Sequence, residues 1–250
     1  MKIRVGHLYP EYLNIYADRG NIAVLARRAA LRGHELVVTG ISVGDAIRPD
    51  ELDLLYIGGG QDREQLLISP DLVAKGPAIE TAVAGGAALL AVCGGYQLLG
   101  RGYLGRHGDS MPGIGLFPHE TYAGEKRMIG DVLLEAEFVP GERRTIAGFE
   151  NHAGRTRLDP GAEPLGRVVA GFGNDGESGY EGARVGRAIG TYLHGPLLPR
   201  NPWLADWLLS QALARATGGE PPALEPLSDQ LEAAAHAVSA QRARDRGGRF

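Results

Sequence analysis

Cys93 is the residue best suited to nucleophilic chemistry, and it is the only cysteine among the 250 residues of this chain. An apolar run over residues 89–92 ends at Cys93, and Gly94 and Gly95 follow at once. This order predicts a buried strand, a sharp turn that lifts the sulfur out of the sheet, and the start of a helix. The free N–H groups and the dipole of a helix N-terminus favour an anion, which suits a thiolate. The alternative is a small buried cysteine that precedes a glycine turn.

Three consecutive glycines occupy residues 58–60, after an apolar run over residues 52–57. In a sheet of parallel strands, the C-terminal ends of the strands meet at the edge where ligands bind. The glycine loop and the cysteine turn are therefore expected at one edge, where the backbone N–H groups of Gly60 and Gly94 can form an oxyanion hole. The alternative is an ordinary turn at the end of a strand.

His194 also stands at the end of an apolar run, and Gly195 and Pro196 follow it. A histidine freed in this way at a strand end is well placed to act as a general base. The alternative is a structural histidine satisfied within the core. A thiol, an imidazole and an oxyanion hole on one α/β sheet together predict acyl transfer through a thioester.

The length of the chain fits one large α/β domain or one and a half small ones, and its composition provides for a sizeable core. Of the 250 residues, 44% are hydrophobic, and the net charge of −4 provides no general basic surface for nucleic acid. With one cysteine and no apolar stretch of bilayer length, we expect a cytoplasmic protein without a transmembrane segment.

The sequence has neither a metal-ligand cluster nor a phosphate-binding Gly-x-x-x-x-Gly-Lys-Ser/Thr loop. We therefore expect no cofactor or metal in this chain and assign ATP chemistry to a partner.

The segments that would position these residues alternate between strand-like and helix-like patterns. Alternation with short links predicts an α/β fold with a doubly wound, mostly parallel sheet flanked by helices. The strand-like segments are residues 3–9, 35–41, 52–57 and 89–92, and the helix-like segments are residues 22–31 and 78–84.

The second half of the chain changes character, because its β-like runs are short. We expect these runs to extend the sheet and to shape the rim of the site. They are residues 128–134, 145–149, 168–172 and 188–193.

Helical patterns close the chain. An amphipathic helix is expected over residues 203–216. We divide the chain into a main domain over residues 1–217, a linker over residues 218–227, and a C-terminal helix with a basic tail over residues 228–250. On the last helix, expected over residues 228–244, one face carries Leu231, Ala234, Ala235 and Val238.

The segment from Cys93 to Gln97 resembles the class I, or triad-type, glutamine amidotransferases, in which a glutamine four places after the cysteine helps to hold the substrate. Residues 148–155 and 190–196 look like signatures of the cobyric acid synthase-like branch of that class. The resemblance implies a flavodoxin-like α/β fold. One departure is Ala91, where the class usually has glycine, and alanine is small enough to preserve the turn.

More closely still, the chain resembles the glutaminase subunits of lipid II isoglutaminyl synthases, over about residues 3 to 215. The segments that carry this likeness are residues 13–21, 57–65, 93–97 and 149–152, and the segment around His194.

The resemblance implies a role for each matching residue. Cys93 would be the nucleophile, His194 the base, Gln97 a substrate-binding residue and Arg127 the group that binds glutamine. A guanidinium suits an amino acid α-carboxylate because it can donate two hydrogen bonds to it. His152 is expected to be structural or to form the rim.

The resemblance also implies a partner. It would be an ATP-dependent, Mur ligase-like subunit that forms a heterodimer with this chain. That partner would use ammonia from L-glutamine to amidate the α-carboxyl of D-glutamate in the lipid II stem peptide, at the inner face of the membrane.

Pro196 is a second departure, since most members of the class have a glutamate two residues after the histidine. The third member of the triad could come from elsewhere in the chain or from the partner, and the resemblance favours the partner. Two other functions remain open: a glutaminase subunit of a cobyrinate-type amidation enzyme, and a non-catalytic regulatory subunit.

Overall fold

The computed structural model describes residues 1–15, 19–105, 110–139 and 141–246. Residues 16–18 of the 13–21 segment and residues 247–250 of the predicted tail lie outside these ranges. The strands are β1 (Lys2–Leu8), β2 (Glu35–Ile41), β3 (Leu54–Ile57), β4 (Ala88–Val92), β5 (Gly102–Leu104), β6 (Ser110–Pro112), β7 (His119–Val139), β8 (Glu142–Leu158), β9 (Gly166–Ala170), β10 (Tyr180–Glu181), β11 (Ala183–Val185) and β12 (Ala188–Thr191). The helices are α1 (Arg19–Ala30), α2 (Asp62–Ala84), α3 (Gly94–Leu99), α4 (Pro202–Thr217) and α5 (Gln230–Arg246), with 3₁₀ turns at Pro49–Glu51 and Leu198–Arg200.

The first sheet has the strand order β11-β12-β4-β3-β1-β2, and only the β11–β12 pair is antiparallel. Every residue of β3 and β4 is buried, as expected for central parallel strands that are covered on both faces. The predicted α/β fold with a mostly parallel sheet and flanking helices is therefore confirmed. The predicted strand over residues 35–41 coincides with β2.

The prediction that all the β-like runs of the second half extend this sheet is wrong. Only residues 188–193 contribute to it, through β12, whereas the other three runs belong to β7, β8 and β9 of a second sheet. That sheet has the order β10-β9-β7-β5-β6, and β8 pairs with β7 along a long antiparallel hairpin. A hairpin forms its ladder with its own neighbour in sequence, so these strands pair locally. Short apolar runs do not reveal which strand will be the partner.

Helix α2 is much longer than the predicted segment over residues 78–84, because it starts at Asp62. Pro70 and Pro77 lie inside it, and proline in a helix interior usually ends or kinks the helix. Burial of its apolar side chains against the core carries the helix through both prolines; these include Ile68, Leu72 and Ile79. Its first turn therefore follows directly on the triple-glycine loop.

The apolar face of the last helix is exposed. Leu231 is 83% exposed and Val238 is 54% exposed, and Ala234 and Ala235 are exposed as well. Instead, α5 buries Ser239, Ala240 and Ala243, mainly against β7. Alanine occurs on several sides of this helix, so apolar spacing alone did not determine which side would pack.

No helix among the described residues is long and apolar enough to cross a bilayer.

Asn201 joins the two sheets at the start of α4. Its side-chain oxygen accepts a hydrogen bond from the Ala147 N–H at 2.9 Å, and its amide nitrogen donates to the Ala147 carbonyl at 2.8 Å. Ala147 belongs to β8, and α4 packs on the first sheet. Because Asn201 is fully buried, these hydrogen bonds fix β8 relative to the first sheet.

Candidate active site

A cavity of about 590 Å³ lies at the C-terminal edge of the first sheet. Four of the predicted site residues line it, namely Gly60, Cys93, Gln97 and Arg127. The remaining lining comes from the start of α2, from β5 and from β8, with Ile15 alongside. These other residues are Ile15, Gln61, Asp62, Arg63, Gln65, Tyr103, Asn151, His152, Ala153 and Gly154.

Cys93 adopts a backbone conformation that side chains rarely take, with φ at 49° and ψ at −106°. It connects β4 to α3 and is 6% exposed. Its N–H donates to the Thr191 carbonyl at 2.7 Å, which ties the turn to the neighbouring strand β12. A left-handed backbone at a non-glycine residue costs on the order of 1–3 kcal/mol and persists where the surroundings impose it. The turn therefore has the geometry of the predicted nucleophile elbow.

The triple-glycine loop packs directly against this turn. The Gly58 carbonyl accepts a hydrogen bond from the Gly95 N–H at 3.1 Å. A Cβ added to Gly94 would lie 3.0 Å from the backbone nitrogen of Gly60. A Cβ added to Gly60 would lie 2.3 Å from a methyl carbon of Leu13. The backbone nitrogens of Gly60 and Gly94, which are predicted to form an oxyanion hole, are thus neighbours. A side chain at either glycine would disturb the close packing of the loop against the turn.

His194 lies three residues beyond β12, next to the strand that ends at Cys93. It is fully buried. Its backbone N–H donates to the Phe149 carbonyl at 2.7 Å, and its carbonyl accepts from the Phe149 N–H at 3.4 Å. This bridge anchors the histidine backbone to β8 of the second sheet. The structure therefore brings His194 to the same sheet edge as the cysteine turn, although His194 is not among the residues that line the cavity.

Arg127 reaches the rim of the cavity because the β7–β8 hairpin is irregular at this point. The register shifts between Ala123 and Met128, so that residues 124–127 bulge out of the ladder. The Arg127 guanidinium then donates to the side-chain oxygen and to the carbonyl of Asn151, both at 2.8 Å. Two of its five N–H donors are used in this way.

Gln97 joins the cavity to a buried polar cluster. Its amide nitrogen donates to the Tyr192 hydroxyl at 3.1 Å, and that hydroxyl lies 2.6 Å from the Thr156 hydroxyl. The His152 ring stacks on the Tyr192 ring with centroids 3.5 Å apart and planes 4° from parallel. Burial lowers the pKa of His152, which favours the neutral imidazole. His152 thus forms part of the cavity wall, and its ring supports Tyr192.

Glu181 is fully buried, and its carboxyl binds residues at the end of β12. Its oxygens accept hydrogen bonds from the Thr191 hydroxyl at 3.0 Å and from the Tyr192 N–H at 2.6 Å. Burial raises the pKa of Glu181 to about 8, and the nearby carboxylate of Glu150 adds to the rise. The strand end that receives the Cys93 hydrogen bond is therefore held from its other side by this carboxyl.

Sequence reasoning assigned no role to Gln65, Asn151, Tyr192 or Glu181. Gln65 and Asn151 stand inside motifs that the sequence singled out, and Tyr192 is two residues from His194, so proximity to motifs was the available signal. Glu181 stands in a glycine-rich stretch and carries no such signal. Among the described residues, no group of three or more His, Cys, Asp and Glu side chains could hold a metal ion.

Residues 4–202 match the sequence pattern of the CobB/CobQ-like glutamine amidotransferase domain. Subunit GatD of the glutamine-hydrolysing lipid II isoglutaminyl synthase from Staphylococcus aureus is 39% identical over 214 residues, or 86% of each chain. Subunit GatD from Streptococcus pneumoniae is 38% identical over 218 residues, which cover 87% of this chain and 83% of that one. A probable cobyric acid synthase from Methanothermobacter thermautotrophicus is 34% identical over 172 residues, covering 64% of this chain but 33% of that longer protein.

Two solved structures share the fold at low sequence identity. The structure of PurLQS from Thermotoga maritima superposes with a TM-score of 0.53 at 17% identity, covering 87% of this chain and 99% of that chain. A glutamine amidotransferase crystal structure superposes with a TM-score of 0.55 at 19% identity, covering 83% and 98% of the two chains.

The raised pKa of Glu181 predicts a specific pH dependence of stability. The folded state binds this proton more tightly than the unfolded chain, whose carboxyl has the ordinary pKa of 4.5. The free energy of unfolding should therefore fall between about pH 5 and pH 8, by up to about 1.4 kcal/mol per pH unit from this group. Glu181→Gln removes the titration, so urea unfolding at several pH values should give a shallower dependence.

Glu177→Gln, at an exposed position, serves as the control and should keep the wild-type dependence. A Glu181→Gln variant with the same pH dependence as wild type would contradict the assignment of this proton.

Proposed function

This chain belongs to the CobB/CobQ-like glutamine amidotransferase family, and we propose that it is the glutamine-hydrolysing subunit of a lipid II isoglutaminyl synthase. The observation that carries the proposal is the left-handed Cys93 turn, packed against the triple-glycine loop in a cavity of about 590 Å³. The likeness to two GatD subunits over more than four fifths of this chain supports the choice of this enzyme within the family.

In the proposed reaction, the Cys93 thiolate attacks the side-chain carbonyl carbon of L-glutamine. The N–H groups of Gly60 and Gly94 donate to the oxyanion of the tetrahedral intermediate. His194 protonates the departing ammonia as the C–N bond breaks and a γ-glutamyl thioester remains on Cys93. His194 then takes a proton from water, the water attacks the thioester, and glutamate leaves as the thiolate is restored.

In this proposal, residues that line the cavity bind the substrate. Arg127 binds the α-carboxylate of glutamine through N–H donors beyond the two that contact Asn151. Gln97 contributes from the cavity floor, where Tyr192 holds its amide. The chain itself uses neither cofactor nor metal in this scheme.

The ammonia passes to an ATP-dependent partner, a MurT-like Mur ligase subunit that forms a heterodimer with this chain. The partner activates the α-carboxyl of D-glutamate in the lipid II stem peptide, and ammonia converts it to D-isoglutamine. We place the reaction in the cytoplasm, at the inner face of the membrane, because the substrate is lipid-linked. ATP chemistry is assigned to the partner because this sequence has no phosphate-binding loop motif.

A cobyrinate-type amidation enzyme is the second candidate, since cobyric acid synthases are 33–36% identical to this chain. This chain corresponds to about a third or less of those proteins. The lipid II enzyme is preferred because both GatD subunits align over at least 83% of their own length.

Replacing Cys93 by alanine tests the reaction itself. In the complex with the ligase partner, glutamate release from glutamine should fall about a thousandfold or more, because the nucleophile is lost. Amidation of lipid II should persist when an ammonium salt replaces glutamine, since the ligase then receives its nitrogen directly. That ammonium-dependent activity is the control for an intact complex. Equal glutamine hydrolysis by wild type and Cys93→Ala would refute the proposal.

Pro196 stands where most triad enzymes have a glutamate, and we assign the third triad member to the partner. The isolated chain should therefore hydrolyse glutamine slowly, and addition of the partner should raise kcat by about a hundredfold or more, the size of the contribution of a general base and its orienting acid. Full activity of the isolated chain, unchanged by the partner, would contradict the shared triad.

Arg127→Met tests the carboxylate site. Loss of charge-assisted hydrogen bonds to the substrate should raise the KM for glutamine about tenfold to a hundredfold, with a smaller change in kcat. Arg143→Met, an exposed position on the same hairpin, is the matched control and should keep the wild-type KM. An unchanged KM in Arg127→Met would remove Arg127 from the substrate site.

A further inference from the structure

Gln65 is a buried polar side chain that the reaction above does not use. It lies in the first turns of α2 and is only 2% exposed. Its Nε2 donates to the Gly60 carbonyl at 3.2 Å. A Cβ added to Gly94 would lie 2.9 Å from both Cδ and Nε2 of Gln65. One carboxamide therefore contacts both glycines whose N–H groups form the proposed oxyanion hole.

The triple-glycine loop is held by its carbonyl oxygens, and each oxygen accepts a hydrogen bond from a different part of the chain. The Gly58 oxygen accepts from the Gly95 N–H at 3.1 Å, the Gly59 oxygen from the Ile15 N–H at 3.2 Å, and the Gly60 oxygen from Gln65 Nε2 at 3.2 Å. In a trans peptide the C=O and N–H bonds point in opposite directions. Fixing a carbonyl therefore also fixes the direction of the next N–H group.

Gly60 needs this restraint on both sides, because glycine has more backbone freedom than any other residue. The Gly59 carbonyl, held by Ile15, fixes the peptide that carries the Gly60 N–H. The Gly60 carbonyl, held by Gln65, fixes the following peptide. Without the side-chain donor, Ile15 alone would hold Gly60, and the loop could shift relative to Gly94, which the same carboxamide contacts.

We propose that Gln65 is a positioning residue for the oxyanion hole, which keeps the Gly60 and Gly94 N–H groups aimed at the same point. The proposal rests on the proposed hydrolysis of glutamine. It assigns a role to Gln65 in the motif over residues 61–65, and the reaction scheme assigns none to that motif.

Stability does not account for a glutamine at this position. The Gln65 Oε1 is buried, and among the residues that the structure describes no donor lies within hydrogen-bonding distance of it. A buried amide oxygen without a partner costs free energy. Methionine has nearly the same length and shape and would avoid that cost. The donor on Nε2 is what methionine cannot replace.

Gln65→Met in the complex with the ligase partner tests the proposal. We expect kcat for glutamine hydrolysis to fall about tenfold to a hundredfold, less than or equal to the loss of one oxyanion donor, with KM changed by no more than about threefold. The thermal midpoint should change little, because removal of the unpaired Oε1 offsets loss of the Nε2 hydrogen bond to the Gly60 carbonyl. Alkylation of Cys93 by iodoacetamide should proceed at the wild-type rate, because the thiol itself is untouched.

Gln241→Met, the same substitution at an exposed position of α5, is the control and should match wild type in every measurement. Gln65→Met with wild-type kcat would overturn the proposal. So would a rise in KM with kcat unchanged, or a fall in thermal midpoint that accounts for the lost activity.

Cys93→Ala, assayed in parallel, separates this inference from the function on which it rests. If Cys93→Ala is inactive while Gln65→Met hydrolyses glutamine like wild type, only the role of Gln65 fails. If Cys93→Ala and wild type hydrolyse glutamine equally, both proposals fail.

Discussion

The left-handed backbone of Cys93 is the constraint on which the rest of the site depends. Two hydrogen bonds impose it, one from the Cys93 N–H to the Thr191 carbonyl and one from the Gly95 N–H to the Gly58 carbonyl. A Cβ on Gly95 would lie 2.8 Å from that Gly58 oxygen, so this approach requires glycine. The turn can therefore exist only where β3, β4 and β12 already stand in parallel register. The sheet is thus part of the proposed catalytic site as well as its support.

The proposed site is built from both sheets. The first sheet presents the cysteine turn and the glycine loop, whereas the long hairpin carries Arg127 to the rim and pairs its Phe149 with His194. Glu181, from the edge of the second sheet, holds the residues that precede His194. A shift of one sheet against the other would move the proposed base and the proposed substrate site together, away from the nucleophile. Asn201 and the Phe149–His194 bridge oppose such a shift.

The signals in the sequence that pointed to a site were local. Cys93, the triple-glycine loop and His194 each follow an apolar run and precede glycine, and that signal lies within a few neighbouring residues. The second sheet was missed because short apolar runs do not show which strand pairs with which, and here β7 pairs with its neighbour β8 and not with the first sheet. The start of α2 was missed because Pro70 and Pro77 suggest a break that packing overrides. The role of Glu181 could not be predicted, since a carboxyl in a glycine-rich stretch usually lies at the surface and only the fold shows that it is buried.

Three local costs to stability meet around the same cavity. Cys93 has a strained backbone, Gln65 has a buried oxygen that no described donor reaches, and Glu181 has a carboxyl whose pKa burial raises. A chain selected for stability alone would remove each of them by a simple substitution. Costs of this kind are tolerated where function needs them. Cys93 and Gln65 line the cavity, and Glu181 holds the strand end that leads to His194, so these three costs fall on residues that the proposed hydrolysis uses or that position its groups.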